Sequence, residues 1–546
     1  CNGDLVQVKR DRTLSDFSSW GVTPDLKLKP EIAGVGGNIY STRDPSIAGS
    51  NYGLMSGTSM ATPQIAGAMA VLMQYLRQNY PQYQEAELRQ VAANLMMSTA
   101  DPILDSNGLE VSPRGQGAGL ANLVKATSSL AYLSNAQAYE NRAKAELGDD
   151  PEKTGRYEFS FSIFNLTESE QTYALSGDLF TQDLFTDEGI SYMNTWTTGL
   201  HAEVTFSTGD TVTVPAGSSV DVKVTAVLTQ EQKTALNQNY PNGAYIEGYV
   251  FVKGVTTDDG AVGTTHSIPV LGFYGNWSDA SMFDVGSRME YLTGEETRAP
   301  YLGDMKGNAA VVAYGESSQT AYFGGNPVVP DERYLPERNA INSENGDQIT
   351  QLQFVLIRNA AATRVSAKNL TKDRVIMQSE QGAVASAFYF TNGGYWMNTN
   401  YRLNTKFLPK GAAEGDRLEL ALTMAPEYYV SYDAEGKAVV NWDALGEGAS
   451  FRIPMVVDNT APVVKDASLS FTRNAIEVTA SDNQYVAAVA LYNLSGTKVL
   501  TYDGAKQDIE PGEEAEYTLD LTGVNGKGFL LQIMDYARNT TTYKVD

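Results

Sequence analysis

Ser59 is the side chain whose surroundings in this sequence best suit nucleophilic chemistry. It lies in the segment GTSMATP at residues 57–63, and an apolar run follows as far as Leu76. The density of apolar residues predicts a helix over residues 59–77 that is buried on most sides, and Pro63 suits its first turn, where a missing N–H is tolerated. The backbone N–H of Ser59 would then point from a helix N-terminus toward a developing oxyanion, which the helix dipole favours.

Ser59 also needs a general base, because a serine hydroxyl is a weak nucleophile until its proton is removed. The sequence offers two histidines, His201 and His266, and both lie in segments whose pattern predicts strands. For both, a surface or satisfied core histidine is the plainer interpretation. The serine segment by itself also fits an ordinary loop and N-cap before a helix, where small polar residues are common.

Four sequence blocks occur in the order that is typical of subtilisin-like serine proteases. They are FSSWG at residues 17–21, KPEIAGVGGNIYS at residues 29–41, GTSMATP at residues 57–63 and QGAGLAN at residues 116–122. The first part of the chain therefore resembles that family. The resemblance implies an α/β subtilisin-like catalytic domain and serine endopeptidase activity, with protein or peptide substrates cleaved through an acyl-enzyme.

The same resemblance implies roles for individual residues. Ser59 is implied to be the nucleophile, with its backbone N–H in the oxyanion hole, and Thr58 is implied to support it. Four preceding residues are implied to border the substrate cleft: Leu54, Met55, Ser56 and Gly57. No cofactor is expected to be required for this chemistry.

The sequence departs from the family pattern upstream of the serine. In subtilisin the triad aspartate and histidine precede the serine, yet neither histidine here is followed by glycine, and no Asp-Ser-Gly, Asp-Thr-Gly or Ala-Gly-Asn block is present. Gln64 replaces a family histidine that is not the catalytic one. The chain is therefore expected to begin inside its own catalytic domain, to need the missing N-terminal half as a partner, and to be inactive alone. The alternative function is a non-catalytic cell-surface binding or scaffold fragment.

Charge and cysteine content narrow the class of protein. The 546 residues carry a formal net charge of −25 and a single cysteine, Cys1. The negative charge argues against nucleic-acid binding, and a single cysteine excludes an internal disulfide framework. No apolar run approaches the ~18 residues that a membrane-spanning helix needs. Together with the resemblance, these features predict an extracellular location at a bacterial cell surface or cell wall.

After a short helix expected at residues 123–131, the sequence changes to strand-like patterns. From about Glu140 apolar residues alternate with polar ones in short segments separated by glycine and proline turns. This pattern predicts β-sandwich modules. The clearest predicted strands are residues 157–163, 212–214, 220–224, 245–252 and 267–275.

Three later blocks resemble the cell-envelope proteinases of the lactocepin and streptococcal C5a-peptidase group. They lie at residues 341–347, 456–462 and 534–540. The resemblance implies all-β fibronectin-type-III-like domains after the C-terminal part of a subtilisin-like domain. The predicted division is 1–133 for the protease part and 134–276, 277–457 and 458–546 for three fibronectin-III-like domains.

Three aspartates near the predicted module ends suggest a structural calcium site. Asp458 and Asp482 are each followed by asparagine, and Asp535 precedes Asn539 by four residues. Calcium is bound by six to eight oxygen ligands, and loops at one end of a sandwich converge. The alternative is that these residues are ordinary turn formers, because Asp and Asn side chains accept hydrogen bonds from nearby backbone groups.

Overall fold

The computed structural model contains two compact units, Cys1–Asp279 and Ala280–Asp546. It describes residues 13–545 except 45, 47, 48, 50, 188, 189, 256–262, 285–307, 316–319, 330–333, 382–387, 392, 393, 398–400, 508 and 527. Cys1 lies outside the described residues. The four-part division of the sequence stays a prediction.

Helices are concentrated in the first 130 residues. The α-helices are α1 Thr58–Asn79, α2 Glu85–Ser98, α3 Pro113–Gln116, α4 Leu123–Ser128 and, later in the chain, α5 Gln230–Asn239. Short 3₁₀ turns occur at Tyr139–Asn141, Pro336–Arg338, Glu427–Tyr429, Trp442–Ala444, Glu447–Ala449 and Gly504–Lys506.

Helix α4 is shorter than the sequence predicts. It ends at Ser128, and Ala131 already belongs to a strand. Thr127 and Ser128 donate side-chain hydrogen bonds to the carbonyls of Leu123 and Val124, which shows polar side chains competing with the backbone at the last turn.

The first unit contains a hairpin and two sheets. The hairpin pairs Ile39–Thr42 with Tyr52–Met55 in antiparallel register. One sheet has the strand order Ala131–Ser134, Arg156–Asn165, Ser219–Val227 and Glu203–Phe206. The other has the order Ala145–Asp150, Thr265–Tyr274, Ala244–Gly254, Gln171–Asp187 and Ile190–Gly199, and Thr211–Val214 pairs with Gln171–Asp187.

The two sheets of the first unit share one apolar core. Along Arg156–Asn165 the buried side chains Tyr157, Phe159, Phe161 and Ile163 alternate with more exposed ones, as a two-residue period requires. The same core takes in Met97 and Ala118 from the helical segment. The five strands predicted most clearly from the sequence are confirmed.

The described residues of the second unit form four sheets and two hairpins. The first sheet has the strand order Thr320–Tyr322, Ala309–Ala313, Gln348–Phe354 and Tyr401–Phe407. The second sheet has the order Ala340–Ile341, Ser450–Val457, Arg417–Ala425, Ala362–Asn369 and Arg374–Gln381. The third sheet has the order Val463–Ser470, Ala475–Ser481 and Glu514–Asp520. The fourth sheet has the order Lys498–Asp503, Val486–Asn493, Phe529–Asp535 and Thr540–Val545. The hairpins are Phe388–Thr391 with Gly394–Met397 and Val430–Tyr432 with Ala438–Val440.

Each pair of sheets in the second unit encloses its own apolar core. A smaller cluster joins them, in which Leu335 and Ala340 pack with Ala487, Ala505 and Tyr536. The chain is thus a helical and turn-rich segment followed by β-sandwiches, as expected. Among the described residues, no helix has the length and apolar composition needed to cross a membrane.

Candidate functional site: Ser59 and the segment that positions it

Ser59 is the second residue of α1 and is exposed. The backbone N–H groups of Thr58 and Ser59 lie in the first helical turn, where amides have no acceptor within the helix. They are therefore available to an anion or an oxyanion at this helix end. Gly57 is the N-cap, and its carbonyl accepts the N–H of Met60 at 3.0 Å.

Pro63 lies deeper in α1 than the sequence predicts. Because the helix begins at Thr58, Pro63 is inside it and not in its first turn. Proline has no N–H, so the carbonyl of Ser59 lacks its usual donor four residues later. One residue earlier, the Thr62 hydroxyl donates to the carbonyl of Thr58 at 3.0 Å. The residues at the predicted nucleophile thus have an irregular backbone hydrogen-bond pattern.

The prediction that α1 is buried on most sides is wrong. Of its 22 residues, Leu72 and Leu76 are buried. The first half of the helix borders an open groove of about 920 Å³ that the turn at residues 34–38 also lines. Ile65 packs against Gly34, whereas Pro63 and Ala66 in the same half are exposed.

A close backbone contact sets the position of the helix start. The N–H of Gly57 donates to the carbonyl of Gly36 at 2.9 Å. A Cβ atom added to Gly36 would lie 2.7 Å from the Gly57 carbonyl oxygen, so the contact requires glycine at position 36. The block at residues 29–41, which contains Gly36, therefore contacts the serine segment directly.

The residues predicted to border the substrate cleft lie immediately before this contact. Leu54 and Met55 end the hairpin strand Tyr52–Met55 and are 60% and 44% exposed. The Ser56 hydroxyl accepts the N–H of Asn38 at 2.8 Å. The structure thus brings residues 54–59 together on an exposed edge, and their roles toward a substrate stay a prediction.

The closing block at residues 116–122 connects the serine segment to the body of the first unit. Ala33 donates to the Gly119 carbonyl and accepts the N–H of Ala121, each at 2.9 Å. Gln116 bonds the backbone of Ile103 and Val111, and Asn122 caps α4 by accepting the N–H of Lys125. The polar residues of this block therefore hold turns together.

A buried ion pair fixes that block to the adjacent sandwich. Arg114 Nε donates to Glu247 Oε1 at 2.9 Å, and the two side chains are 7% and 0% exposed. The Arg114 guanidinium also lies 3.6 Å from the ring centre of Tyr245, and the Ser112 hydroxyl donates to the same carboxylate. The Tyr249 hydroxyl donates to the Gly117 carbonyl at 2.7 Å.

A second buried cation ties the turn before Ala33 to the sandwich. Lys144 is 1% exposed and pairs with Glu146 at 2.9 Å and with Glu31 at 3.2 Å. Glu146 also accepts the N–H of Leu28. The ion pairs of these two cations hold residues 28–33 and 112–121, and through Gly36 and Gly57 these residues position Ser59.

Neither histidine lies at Ser59. His266 is in the strand Thr265–Tyr274, is 1% exposed, and its Nε2 lies 2.7 Å from the Ser129 hydroxyl and 3.0 Å from the Ala131 carbonyl. Burial lowers the pKa of His266 to about 4, so it is neutral at pH 7. The interpretation of His266 as a core histidine is confirmed, and its hydrogen-bonded nitrogen is Nε2, whereas Nδ1 is buried without a hydrogen-bond partner.

His201 was expected in a strand, and this is wrong. It lies in the loop between the strands Ile190–Gly199 and Glu203–Phe206, has a φ of 50° and is exposed. Its ring lies against Gly199, and the Gln232 side chain donates to its carbonyl. The positive φ is incompatible with a strand, which explains why alternation misplaced it.

In the second unit, the structure brings Asp458, Asp482 and Asp535 together. Each offers a carboxylate oxygen, and these three oxygens all lie within 4.8 Å of one another. All three residues are buried. Burial, followed by the charge of Asp458, raises the pKa of Asp482 to about 7 and that of Asp535 to about 9. Burial also raises the pKa of Asp458 to about 6.

Sequence reasoning missed the buried pair of charged side chains that helps to position Ser59. Arg114 stands in an unremarkable Ser-Pro-Arg-Gly segment, and its partner Glu247 is 133 residues away. A glutamate within the otherwise apolar strand Ala244–Gly254 was the available signal, because charged residues are seldom fully buried unless paired.

Two family models match this chain. Residues 6–119 match the subtilase family, and residues 146–271 match an Fn3-like domain. The first match contains Ser59 together with Ala33, Gly36 and Gly117. The second covers most strands of the sandwich that pairs Glu247 with Arg114.

Several curated proteins are similar to much of the chain. The PI-type proteinase of Lactococcus lactis subsp. cremoris is 26% identical over 531 residues, which is 88% of this chain and 24% of that protein. The PIII-type proteinase of strain SK11 is 25% identical and covers 94% of this chain and 25% of its own length. The C5a peptidase of Streptococcus pyogenes serotype M3 is 30% identical over 273 residues, or 50% of this chain and 21% of that protein.

The chain thus spans about a quarter of the length of the curated relatives that it matches. Its similarity to the lactococcal proteinases extends over both units, whereas the similarity to the C5a peptidase covers half of the chain. The chain therefore has one segment that matches the subtilase family and another that matches an Fn3-like domain, and it is similar over most of its length to the lactococcal PI-type and PIII-type proteinases.

Proposed function

We propose that this chain is the serine-bearing part of a bacterial surface endopeptidase in which Ser59 forms the acyl-enzyme. The observation that carries the proposal is the position of Ser59: exposed, at the start of α1, with first-turn amides that have no helical acceptor. Such amides stabilise the oxyanion of a tetrahedral intermediate. The match of residues 6–119 to the subtilase family supports the same assignment.

The general base is a residue other than His201 and His266. His266 is buried in the sandwich against Ser129, and His201 lies in a sandwich loop. By resemblance, the aspartate and histidine of the triad precede the serine along the chain. Because triad members act as a unit, we propose that the 546-residue chain is inactive alone and that upstream residues restore activity.

Two measurements test this proposal. The chain alone is expected neither to hydrolyse casein or a chromogenic peptide nor to react at Ser59 with a fluorophosphonate probe. A longer chain that includes the upstream residues is expected to do both, and Ser59→Ala should lower its rate by several orders of magnitude. Ser128→Ala, an exposed serine at the end of α4, is the matched control and should leave the rate unchanged.

Either of two results would change the assignment. Turnover by the chain alone that Ser59→Ala abolishes would mean that a base is supplied within these residues. A longer chain with no turnover and no labelling would favour the alternative, a non-catalytic surface binding or scaffold protein.

We also propose an extracellular, surface-attached setting for the whole protein. The formal charge of −25 suits a soluble domain array, and the lactococcal relatives are proteinases that match both units. Fractionation of the producing cells, with detection by antibody before and after protease shaving, tests this. Retention of the intact chain after shaving would contradict it.

A further inference from the structure

Three strand ends converge on one point in the second unit. Asp458 follows the strand Ser450–Val457, Asp482 follows Ala475–Ser481, and Asp535 is the last residue of Phe529–Asp535. The first strand belongs to one sandwich of this unit and the other two belong to the next. We propose that these three aspartates bind a calcium ion that joins the two sandwiches.

The hydrogen bonds of the three carboxylates leave oxygens free for an ion. Asp458 Oδ1 accepts from Thr460 N and from Asn483 Nδ2, and Asp482 Oδ1 accepts from Gln484 N at 2.8 Å. The Oδ2 atoms of Asp458 and Asp482 are buried and accept no hydrogen bond. Since the two residues are 0% and 6% exposed, water at the protein surface does not compensate these oxygens.

The turn interpretation of the Asp-Asn pairs accounts for half of this arrangement. Asp458 and Asp482 each accept the N–H two residues later, which is the hydrogen bond of an ordinary Asx turn. A turn uses one oxygen and does not require burial of the other. The free Oδ2 atoms are therefore the observation that the turn interpretation leaves unexplained.

Among the described residues, no lysine or arginine forms an ion pair with the three aspartates. The other groups around them are amides and a further carboxylate: Asn483 bonds both Asp458 and the exposed Glu414, and Asn539 donates to Asp535 Oδ2 and to the Asp458 carbonyl. Like charges at this separation in a buried site repel strongly. A bound cation, or protonation, must compensate them.

Calcium fits the donor set better than other common metals. All donors are oxygens, which excludes the thiolate and imidazole ligands typical of zinc sites. Calcium accepts six to eight oxygens in flexible geometry at about 2.3–2.6 Å, whereas magnesium demands a near-ideal octahedron and usually keeps several waters. The three oxygens lie within 4.8 Å of one another, so one calcium ion can contact all three.

An ion at this point would stabilise the junction between the two sandwiches. Their apolar contact consists of a small cluster that includes Ala340, Ala487 and Tyr536. Tyr536 follows Asp535 directly, which places an aromatic sensitiser beside the site. A lanthanide such as Tb³⁺ should therefore show tyrosine-sensitised luminescence when it replaces calcium.

The test uses the full 546-residue chain and compares melting in calcium and in chelator. Calcium should raise the melting temperature, Mg²⁺ should do so much less, and calcium should displace Tb³⁺ with loss of luminescence. Asp482→Asn keeps the acceptor for Gln484 N and removes one charge. It should weaken calcium binding at least about tenfold yet melt no lower than the wild type in chelator, because it relieves repulsion between carboxylates.

Asp535→Asn is the second variant, in case Asp482→Asn fails to fold. The matched control is Asp520→Asn, at an exposed aspartate that ends the strand Glu514–Asp520. The control should keep the calcium response unchanged. A wild-type chain with no calcium-dependent shift and no Tb³⁺ luminescence would overturn the proposal and leave protonated carboxyl groups as the compensation. Equal destabilisation of Asp482→Asn with and without calcium would overturn it in favour of a hydrogen-bonding role alone.

Discussion

Helices α1 and α2 are close in sequence and rich in apolar residues, but they differ in burial. Two of the 22 residues of α1 are buried, compared with eight of the 14 residues of α2. The Asn94 side chain in α2 is fully buried and bonds the backbone of Asn141 and Ala143 at the edge of the sandwich. Helix α1 lacks such anchoring in its first half, where Ser59 lies.

The difference shows that apolar composition alone does not determine burial. Helix α2 contributes Met97 to the sandwich core, whereas the first half of α1 borders an open groove. Burial requires a second surface, and the described chain supplies one for α2 and for the end of α1. Ser59 is therefore held from one side, through Gly36, Ala33 and the ion pairs of the sandwich.

The largest expected loss of unfolding free energy comes from removing the carboxylate that pairs with the buried Arg114. Glu247→Gln leaves the Arg114 guanidinium buried without a countercharge, so we expect a loss of about 3–5 kcal/mol in unfolding free energy. Urea unfolding measures it. Glu158→Gln, which removes an exposed partner of Arg156, is the control and should change little. Similar effects of the two variants would contradict the anchoring role of Arg114.

A smaller effect should separate the buried and exposed faces of α1. Leu76 is 0% exposed and packs in the cluster with Leu88 and Leu95, so Leu76→Ala should cost about 2–5 kcal/mol. Val71 is 51% exposed, and Val71→Ala should change the unfolding free energy by less than about 0.5 kcal/mol. Equal losses in denaturant unfolding would show that the face of α1 that carries Val71 is packed after all.

The third prediction is that lowering the pH destabilises the protein through His266, whose ring is hydrogen-bonded to Ser129 at the edge of the sandwich. Because the pKa of His266 is about 4 in the folded protein and about 6.5 when unfolded, the unfolded chain gains the proton first as pH falls. Stability is therefore lost from about pH 6.5 down to about pH 4, by at most about 3 kcal/mol. Unfolding free energies at several pH values, for His266→Gln and the exposed control His201→Gln, measure this.

His266→Gln should remove that part of the pH dependence, and His201→Gln should keep it. If the unfolding free energy of both variants depends on pH as steeply as that of the wild type, groups other than His266 cause the acid sensitivity. The result matters for the comparison of α1 and α2, because His266 bonds the chain at Ser129 and Ala131, where the helical segment becomes the first sandwich strand.

Local patterns in the sequence identified several features correctly. The alternation in residues 157–163 gave a strand because the two-residue period places Tyr157 and Phe159 on one face. The segment around Ser59 indicated a helix start after small residues, and α1 begins there. The subtilase resemblance agrees with the family match to residues 6–119.

Tertiary structure alone decided which groups are buried together. Helix α1 is mostly exposed because its first half borders an open groove, and no property of its own residues indicates this. The sequence left turn and metal interpretations open for Asp458 and Asp482, and the pairing of distant strands brought both to Asp535. Arg114 and Glu247 are 133 residues apart. Such contacts depend on how sheets pair across the chain, whereas periodicity and capping report interactions between near neighbours.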